Sequence, residues 1–319
     1  MHEDALSLPF AGTRLYAYGL MVMLGCWLAI ALLVVLTRRQ PKERLAAAWT
    51  AAIGLPLGFV LARLLYALLD PGFAPFLSLK NILGVRGGGF AMYGALAGAV
   101  LAALMGAKLA RVKPSRALDL LAPAVTAFLV PTRLGEGFTA LGISRPLTTP
   151  FIADSFLALR DAYDAYLRTY ALEAFVALVL LVVLLVYRAR KPAAGSVFTL
   201  FCLLYGLTQT LMESLRYDGH LRYSFVGVQQ VLSAALFALT IIYLAARLLK
   251  TPGAGKALPV LSIVMTAAIL PAIVGIEFLI DRSELGKLFS YGLYLLALAI
   301  PGALGILMLK KGDRIWTKS

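Results

Sequence analysis

Nine long apolar runs constrain this chain more than any other feature. They lie near residues 16–36, 46–69, 89–110, 117–136, 170–187, 195–214, 224–246, 257–280 and 288–309. A bilayer hydrocarbon core about 30 Å thick takes about 20 residues of helix. Within it each backbone N–H and C=O must be satisfied inside the segment itself. The runs therefore specify nine membrane-spanning helices and an all-α integral membrane protein. Charged residues make up 14% of the 319, against about 25% in a soluble domain, which excludes an ordinary globular fold. Helical periodicity adds little, because helices buried in lipid and protein are apolar all round.

The net charge of +14 is informative through its placement. Segments 37–44, 108–116, 188–191, 247–256 and 310–318 hold 18 of the 30 Lys and Arg. They are alternate loops, so all lie on one side, which the positive-inside rule makes cytoplasmic. The expected topology has the N-terminus outside and the C-terminus inside a bacterial plasma membrane. Basic residues placed this way serve orientation and call for no nucleic-acid partner. Cys26 and Cys202 sit inside apolar runs, where a free cysteine behaves as a small hydrophobe, so the chain calls for no disulfide framework, metal or cofactor. Its acidic start, Met1-His2-Glu3-Asp4, makes the first run a retained span rather than a cleaved signal.

The loops on the other side are uneven. Residues 70–88 are rich in Pro and Gly and long enough for a re-entrant stretch. Residues 137–169 form the largest outer segment, in which Ser155 to Leu167 suggests a helix lying on the membrane surface.

Charge inside the spans is rarer and more telling. Pro131-Thr132-Arg133-Leu134-Gly135-Glu136-Gly137 ends one apolar run with a cation and a carboxylate. A charge at the centre of a membrane helix costs roughly 2.5–3.5 kcal/mol on insertion scales. Arg133 and Glu136 can pair with each other at i and i+3, or Arg133 can serve an anionic ligand. Glu213 and Arg216 repeat the spacing at the end of the sixth run, followed by Tyr217 and Asp218. Arg86 precedes Gly87-Gly88-Gly89, whose backbone suits close approach of an anionic headgroup. Gly94 and Gly98 form a G-x-x-x-G face for tight helix packing. Tyr16 and Tyr18 sit at the outer end of the first run. Arg63, Arg86, Arg133 and Arg216 all approach the outer half of the bilayer, and guanidinium forks match phosphate geometry bidentately. Together they point to a lipid-phosphate site.

Over about residues 12–250 the chain resembles the bacterial prolipoprotein diacylglyceryl transferases. Tyr18-Gly-Leu-Met21 is similar to that family's Y-G-L-M, Gly54-Leu-Pro-Leu-Gly58 with Arg63 to its second span, and Gly88-Gly-Phe-Ala-Met-Tyr-Gly-Ala95 to G-G-M-S-F-H-G-G. Arg133-Leu-Gly-Glu-Gly-Phe138 resembles the signature R-L-G-N-F-I, and Glu173 matches the glutamate of Q-L-Y-E. Gly195, Tyr205-Gly206, Glu213, Arg216 and Gln230-Val-Leu-Ser233 follow at the family spacing.

The resemblance implies a seven-helix bundle over 1–250, with outer segment 137–169. Residues 251–319 then add two transmembrane helices and a basic cytoplasmic tail. It also implies transfer of sn-1,2-diacylglyceryl from phosphatidylglycerol to the lipobox cysteine of a preprolipoprotein signal peptide, with release of glycerol 1-phosphate. Arg133 and Arg216 would hold the phosphate, and Tyr93 or Glu136 would handle the proton. Tyr18, Arg86, Gly88, Gly89, Gly94, Glu173 and Glu213 would line or brace the site among membrane lipids. The chain departs from the pattern at several points. The family's histidine is Tyr93, its signature asparagine is Glu136, an arginine of the sixth helix is Gln209, and N-G-E-L-W-G reads Thr139-Ala-Leu-Gly-Ile-Ser144. A silent lipid- or partner-binding paralogue, or transfer to a non-thiol acceptor, are the alternative readings.

Overall fold

The computed structural model describes residues 7–10, 13–70, 89–139, 141–218, 221–282 and 287–317. Among them are nine helices long and apolar enough to cross a membrane. They are α1 (Ala17–Thr37), α2 (Pro41–Leu69), α3 (Met92–Leu109), α4 (Pro114–Gly135), α5 (Thr169–Ala189), α6 (Ser196–Leu215), α7 (Val228–Leu249), α8 (Ala257–Arg282) and α9 (Lys287–Trp316). The protein is a mostly helical, multi-pass membrane protein. Pro41 and Pro114 open α2 and α4, where the missing N–H costs nothing and φ is already helical.

Two spans outrun their apolar stretches by five residues or more. The α2 helix begins five residues before residue 46, because Glu43 turns inward and meets Arg116 at 3.5 Å. The α9 helix continues past residue 309 because Asp313 is taken up by the bundle: Ser196 Oγ donates to it at 2.5 Å and Tyr187 Oη also donates to it.

The centre of the bundle is α4, which touches α1, α2, α3, α5 and α6. Large side chains such as Trp27, Leu68, Phe175, Leu239 and Leu296 point outward, as lipid-facing residues do. The tightest seam is between α2 and α3. A Cβ on Gly98 would stand 2.5 Å from Gly58 Cα, and one on Gly94 would stand 2.6 Å from Ala62 Cα. Gly98→Leu should therefore push the pair apart, at a cost of about 1–3 kcal/mol. A thermal unfolding midpoint in detergent equal to the parent's would show that the seam yields freely.

Between α4 and α6 the register is set by a carboxylate. Asp119 Oδ2 accepts from Gly195 N at 2.7 Å and Oδ1 from Phe198 N at 2.9 Å, capping the start of α6 from a neighbouring helix. Unpaired N–H groups and the dipole at a helix N-terminus favour such an anion. With the two helices anchored at their basic ends and running the same way, Arg133 and Arg216 arrive at the same end of the bundle.

That far end carries β-structure that the sequence does not announce. Strands β1 (Ser7–Phe10) and β2 (Thr13–Tyr16) pair antiparallel ahead of α1. Strands β3 (Ile143–Pro146), β4 (Ala158–Arg160) and β5 (Ala165–Arg168) form an antiparallel sheet in the order β3-β5-β4. A short pair, β6 (Arg222–Tyr223) and β7 (Val226–Gly227), precedes α7. The sheet replaces the surface helix expected over Ser155–Leu167. The cause is local: Asp161 Oδ1 accepts from Tyr163 N at 2.8 Å and Asp164 N at 2.7 Å, closing a turn that reverses the chain. A one-turn helix, Pro150–Ala153, lies between β3 and β4.

The two C-terminal helices pack on α6 and α7 through the same apolar core, with Ile273, Ile276, Tyr294, Leu298 and Met308 against Phe201, Leu203, Phe237 and Ile241. Polar pins reinforce this contact. Gln230 Nε2 donates to Tyr294 Oη at 2.9 Å and to Glu277 Oε1, and Tyr291 Oη donates to Ser214 O at 3.0 Å. Arg247 lies 3.6 Å over the Trp316 ring.

Candidate active site

Two arginines and two glutamates form a closed ring at the sheet end. Arg133 Nη1 meets Glu136 Oε1 at 2.7 Å, and Arg133 Nε meets Glu173 Oε2 at 3.0 Å. Arg216 Nη1 reaches both carboxylates, Glu136 Oε2 at 2.9 Å and Glu173 Oε1 at 2.8 Å. Each glutamate thus bridges both guanidiniums. Arg133 is 4% exposed, Glu136 5%, Glu173 3% and Arg216 2%. Charges this buried persist because each has an opposite partner and directed hydrogen bonds.

The local backbone explains the convergence. A 3-10 turn, Glu136–Phe138, follows α4 directly and keeps Glu136 one turn beyond Arg133. Gly135 permits the approach of α1: a Cβ there would stand 2.7 Å from Met21 Cβ and 3.3 Å from Tyr18 Cδ2. Tyr18 therefore packs against the turn that carries Glu136. Arg216 is the first extended residue after α6, with φ −78° and ψ 139°. Side chains two apart in extended backbone share a face, and Asp218 uses this. Its Oδ2 accepts from Arg216 Nη2 at 2.8 Å and Nε at 3.2 Å, and from Gly142 N at 2.5 Å. Gly142 itself sits at φ +76°, with Tyr170 Cβ 2.6 Å from where its own Cβ would be.

Gln209 extends the network along α6, donating to Glu173 Oε2 at 3.0 Å and Glu213 Oε1 at 3.1 Å. Four carboxylates therefore gather around two guanidiniums. Arg133 Nη2 is buried with no hydrogen-bond partner among the described residues. Arg133 also lines a narrow cleft with Leu129, Glu173, Tyr205, Gln209 and Met212. The site thus keeps the Arg133 guanidinium at the edge of a mostly apolar cleft, on the side of the Tyr205 ring.

The structure brings together Arg133, Glu136, Glu173, Glu213 and Arg216, with Tyr18 packed alongside. Tyr93 stands one ring away: its centroid lies 6.2 Å from that of Tyr205, and its hydroxyl donates to Ser233 Oγ at 2.6 Å. Gly94 serves the α2–α3 seam. Gly89, at φ +82°, presents its carbonyl to Arg63 Nη1 at 2.9 Å. Arg86 and Gly88 lie outside the described residues, as does most of the segment 70–88.

Two partners in the network were not picked out from the sequence as site residues. Asp218 sits in a loop, and its i+2 spacing from Arg216 becomes meaningful once the helix is known to end there. Gln209 is four residues before Glu213 on α6, a spacing that puts both on one face and is readable in principle.

Comparison with known proteins identifies the family. The family model described as prolipoprotein diacylglyceryl transferase matches residues 5–246. A phosphatidylglycerol--prolipoprotein diacylglyceryl transferase of Lactobacillus acidophilus is 29% identical over 198 residues, 59% of this chain and 70% of the relative. One from Finegoldia magna is 25% identical over 240 residues, 75% of this chain and 94% of the relative. One from Listeria welshimeri is 26% identical over 257 residues, covering 77% and 91%. The match ends within α7, so α8 and α9 lie beyond it. The arginine–glutamate ring and the nine-helix frame around it thus sit in a chain that belongs to the prolipoprotein diacylglyceryl transferase family.

Proposed function

We propose that this protein transfers the sn-1,2-diacylglyceryl group of phosphatidylglycerol to the lipobox cysteine of a preprolipoprotein. The observation that carries this reading is the buried ring in which Arg133 and Arg216 are held side by side by shared carboxylates. Paired guanidiniums in a low-dielectric site neutralise a phosphate as it accepts the charge of a breaking C–O bond. The cysteine sulfur, as thiolate, attacks the glyceryl carbon bonded to the phosphate oxygen. A C–S bond forms, the C–O bond breaks, and the electron pair leaves with glycerol 1-phosphate.

The thiol proton needs an acceptor. Glu136 occupies the bridging position that a phosphate would take between the two arginines. A phosphodiester entering the ring displaces its carboxylate, and Glu136 then becomes free to accept the proton. Tyr93, hydrogen-bonded to Ser233 near the ring, braces the α3–α7 side of the site. Tyr18, Glu173 and Glu213 hold the arginines in place; the family resemblance gives Arg86, Gly88 and Gly89 a part in headgroup binding.

In this reading the sheet end faces outward from the plasma membrane and the basic helix ends face the cytoplasm, so the N-terminus is outside. Membrane phospholipid enters laterally, and the signal peptide presents its cysteine at the sheet end. Expression in bacteria depleted of their own transferase tests the function. Restored growth together with diacylglyceryl-modified lipoprotein is expected. Full-level expression with unmodified precursor would overturn the reading in favour of a silent lipid-binding paralogue.

A further inference from the structure

A polar cavity of about 600 Å³ opens to the surface beside the ring at the sheet end, lined in part by Arg145, Tyr217, Asp218, Arg222, Asp281 and Arg282. Its described walls come from four parts of the chain: β3, the residues that follow α6, the β6–β7 hairpin and the end of α8. The last lies beyond the part of the chain that the family model matches. Among the described lining residues the charge is unbalanced toward the positive. Arg145 Nη2 is paired with Asp281 Oδ1, and Arg282 Nε stands 3.4 Å from Asp281 Oδ2, so two guanidiniums share one carboxylate. The other carboxylate, Asp218, is committed to Arg216 and has no exposed side-chain surface.

The third guanidinium, Arg222, donates through Nη2 to the backbone carbonyls of Arg216 at 2.9 Å and Glu213 at 3.5 Å. Tyr217 orders the arrangement, with Arg145 4.4 Å and Arg222 5.5 Å from its ring centroid. The wall shared with the ring is thin: Asp218 and Arg222 both touch Arg216. An arginine-rich cavity of this size, walled by an aromatic ring and adjoining a phosphate-handling site, suits a small hydrophilic phosphate ester.

We propose that this cavity, completed by the C-terminal helix α8, binds a polyol phosphate monoester, and that it receives the polar product as it leaves the arginine ring. The product assignment rests on the transferase reading above; the anion site itself does not.

The test uses the full chain in detergent, with calorimetric titration of sn-glycerol 1-phosphate, inorganic phosphate and, in nanodiscs, phosphatidylglycerol. The variants are Arg282→Gln and the double variant Arg145→Gln/Arg282→Gln, both outside the transfer machinery. The double variant is expected to bind glycerol 1-phosphate at least tenfold more weakly. Its inhibition constant for that product should rise in proportion, with the initial transfer rate unchanged. If breaking the Arg145–Asp281 pair impairs folding, the exposed Arg282→Gln carries the test alone, with a several-fold weakening expected. Unchanged affinity for glycerol 1-phosphate in folded variants would overturn the proposal. So would binding confined to phosphatidylglycerol, which would make the cavity a lipid-headgroup surface. Glycerol 1-phosphate binding lost in the variants of a protein with no transfer activity would retain the anion site while refuting the transferase reading.

Discussion

Arg216→Ala is expected to abolish diacylglyceryl transfer and to destabilise the bundle as well. Arg216 is 2% exposed and contacts Glu136, Glu173 and Asp218 within 3 Å. Removing it leaves three carboxylates in the interior with too little positive charge, and breaking a buried pair by truncating one partner costs about 3–5 kcal/mol. Loss of activity in this variant alone would therefore be ambiguous. Arg216→Lys resolves it. The ammonium restores the charge but cannot present the planar fork that reaches three carboxylates at once. The lysine variant should fold, with its unfolding midpoint largely recovered, and transfer at least about 100-fold more slowly, the scale of losing one oriented donor at a developing oxyanion. Arg133→Lys should behave alike, since Arg133 bridges Glu136 and Glu173 in the same ring. Single-turnover transfer measured beside thermal unfolding checks both. A folded lysine variant with near-parental transfer would refute the bidentate role.

Glu136→Asn should separate binding from chemistry. The glutamate bridges the two arginines where a lipid phosphate would enter, inside a cluster that already holds three other carboxylates. Two like charges 4 Å apart at an effective dielectric of 20 repel by about 4 kcal/mol, which bounds the relief from above. Phosphatidylglycerol affinity in nanodiscs is expected to tighten at least tenfold. The transfer rate at saturating lipid should fall, because the carboxylate proposed to take the thiol proton is gone. Adding Tyr93→His to Glu136→Asn, the residue pair of the family pattern, should raise the rate again. Unchanged or weaker lipid binding in Glu136→Asn would show that the carboxylate does not occupy the phosphate position.

Much of the fold is legible in the sequence because lipid leaves few alternatives. A run of about 20 apolar residues can satisfy its backbone only as a helix, so nine runs became nine spans. The two largest boundary errors are those where polar residues stay in the helix because the bundle itself provides partners. Asp313 of α9, held by Ser196 and Tyr187, is one; Glu43 of α2, near Arg116, is another.

The segment after α4 misleads for a different reason. Phe156, Leu159, Tyr163 and Tyr166 recur at helical spacing, yet Tyr163 is 93% exposed and Phe156 85%. The Asp161 turn and pairing with β3 decide the conformation, and neither is a periodic signal. In the site, the i,i+3 spacing of Arg133 and Glu136 is readable along one helix. Their ring with Glu173 and Arg216 is not, because it depends on Asp119 registering α6 against α4 across 76 residues of chain. Asp218 joins only because Arg216 is already extended. Single charges in the spans were thus visible, and their partners across helices were not.

The most direct measurement of transfer is the intact mass of a synthetic lipobox peptide after incubation with the purified protein and phosphatidylglycerol. A gain of one diacylglyceryl group on the cysteine and equimolar glycerol 1-phosphate in solution are expected, with both formed at least about 100-fold more slowly by Arg216→Lys. An unmodified peptide in the presence of folded, phosphatidylglycerol-bound protein would contradict the transferase reading.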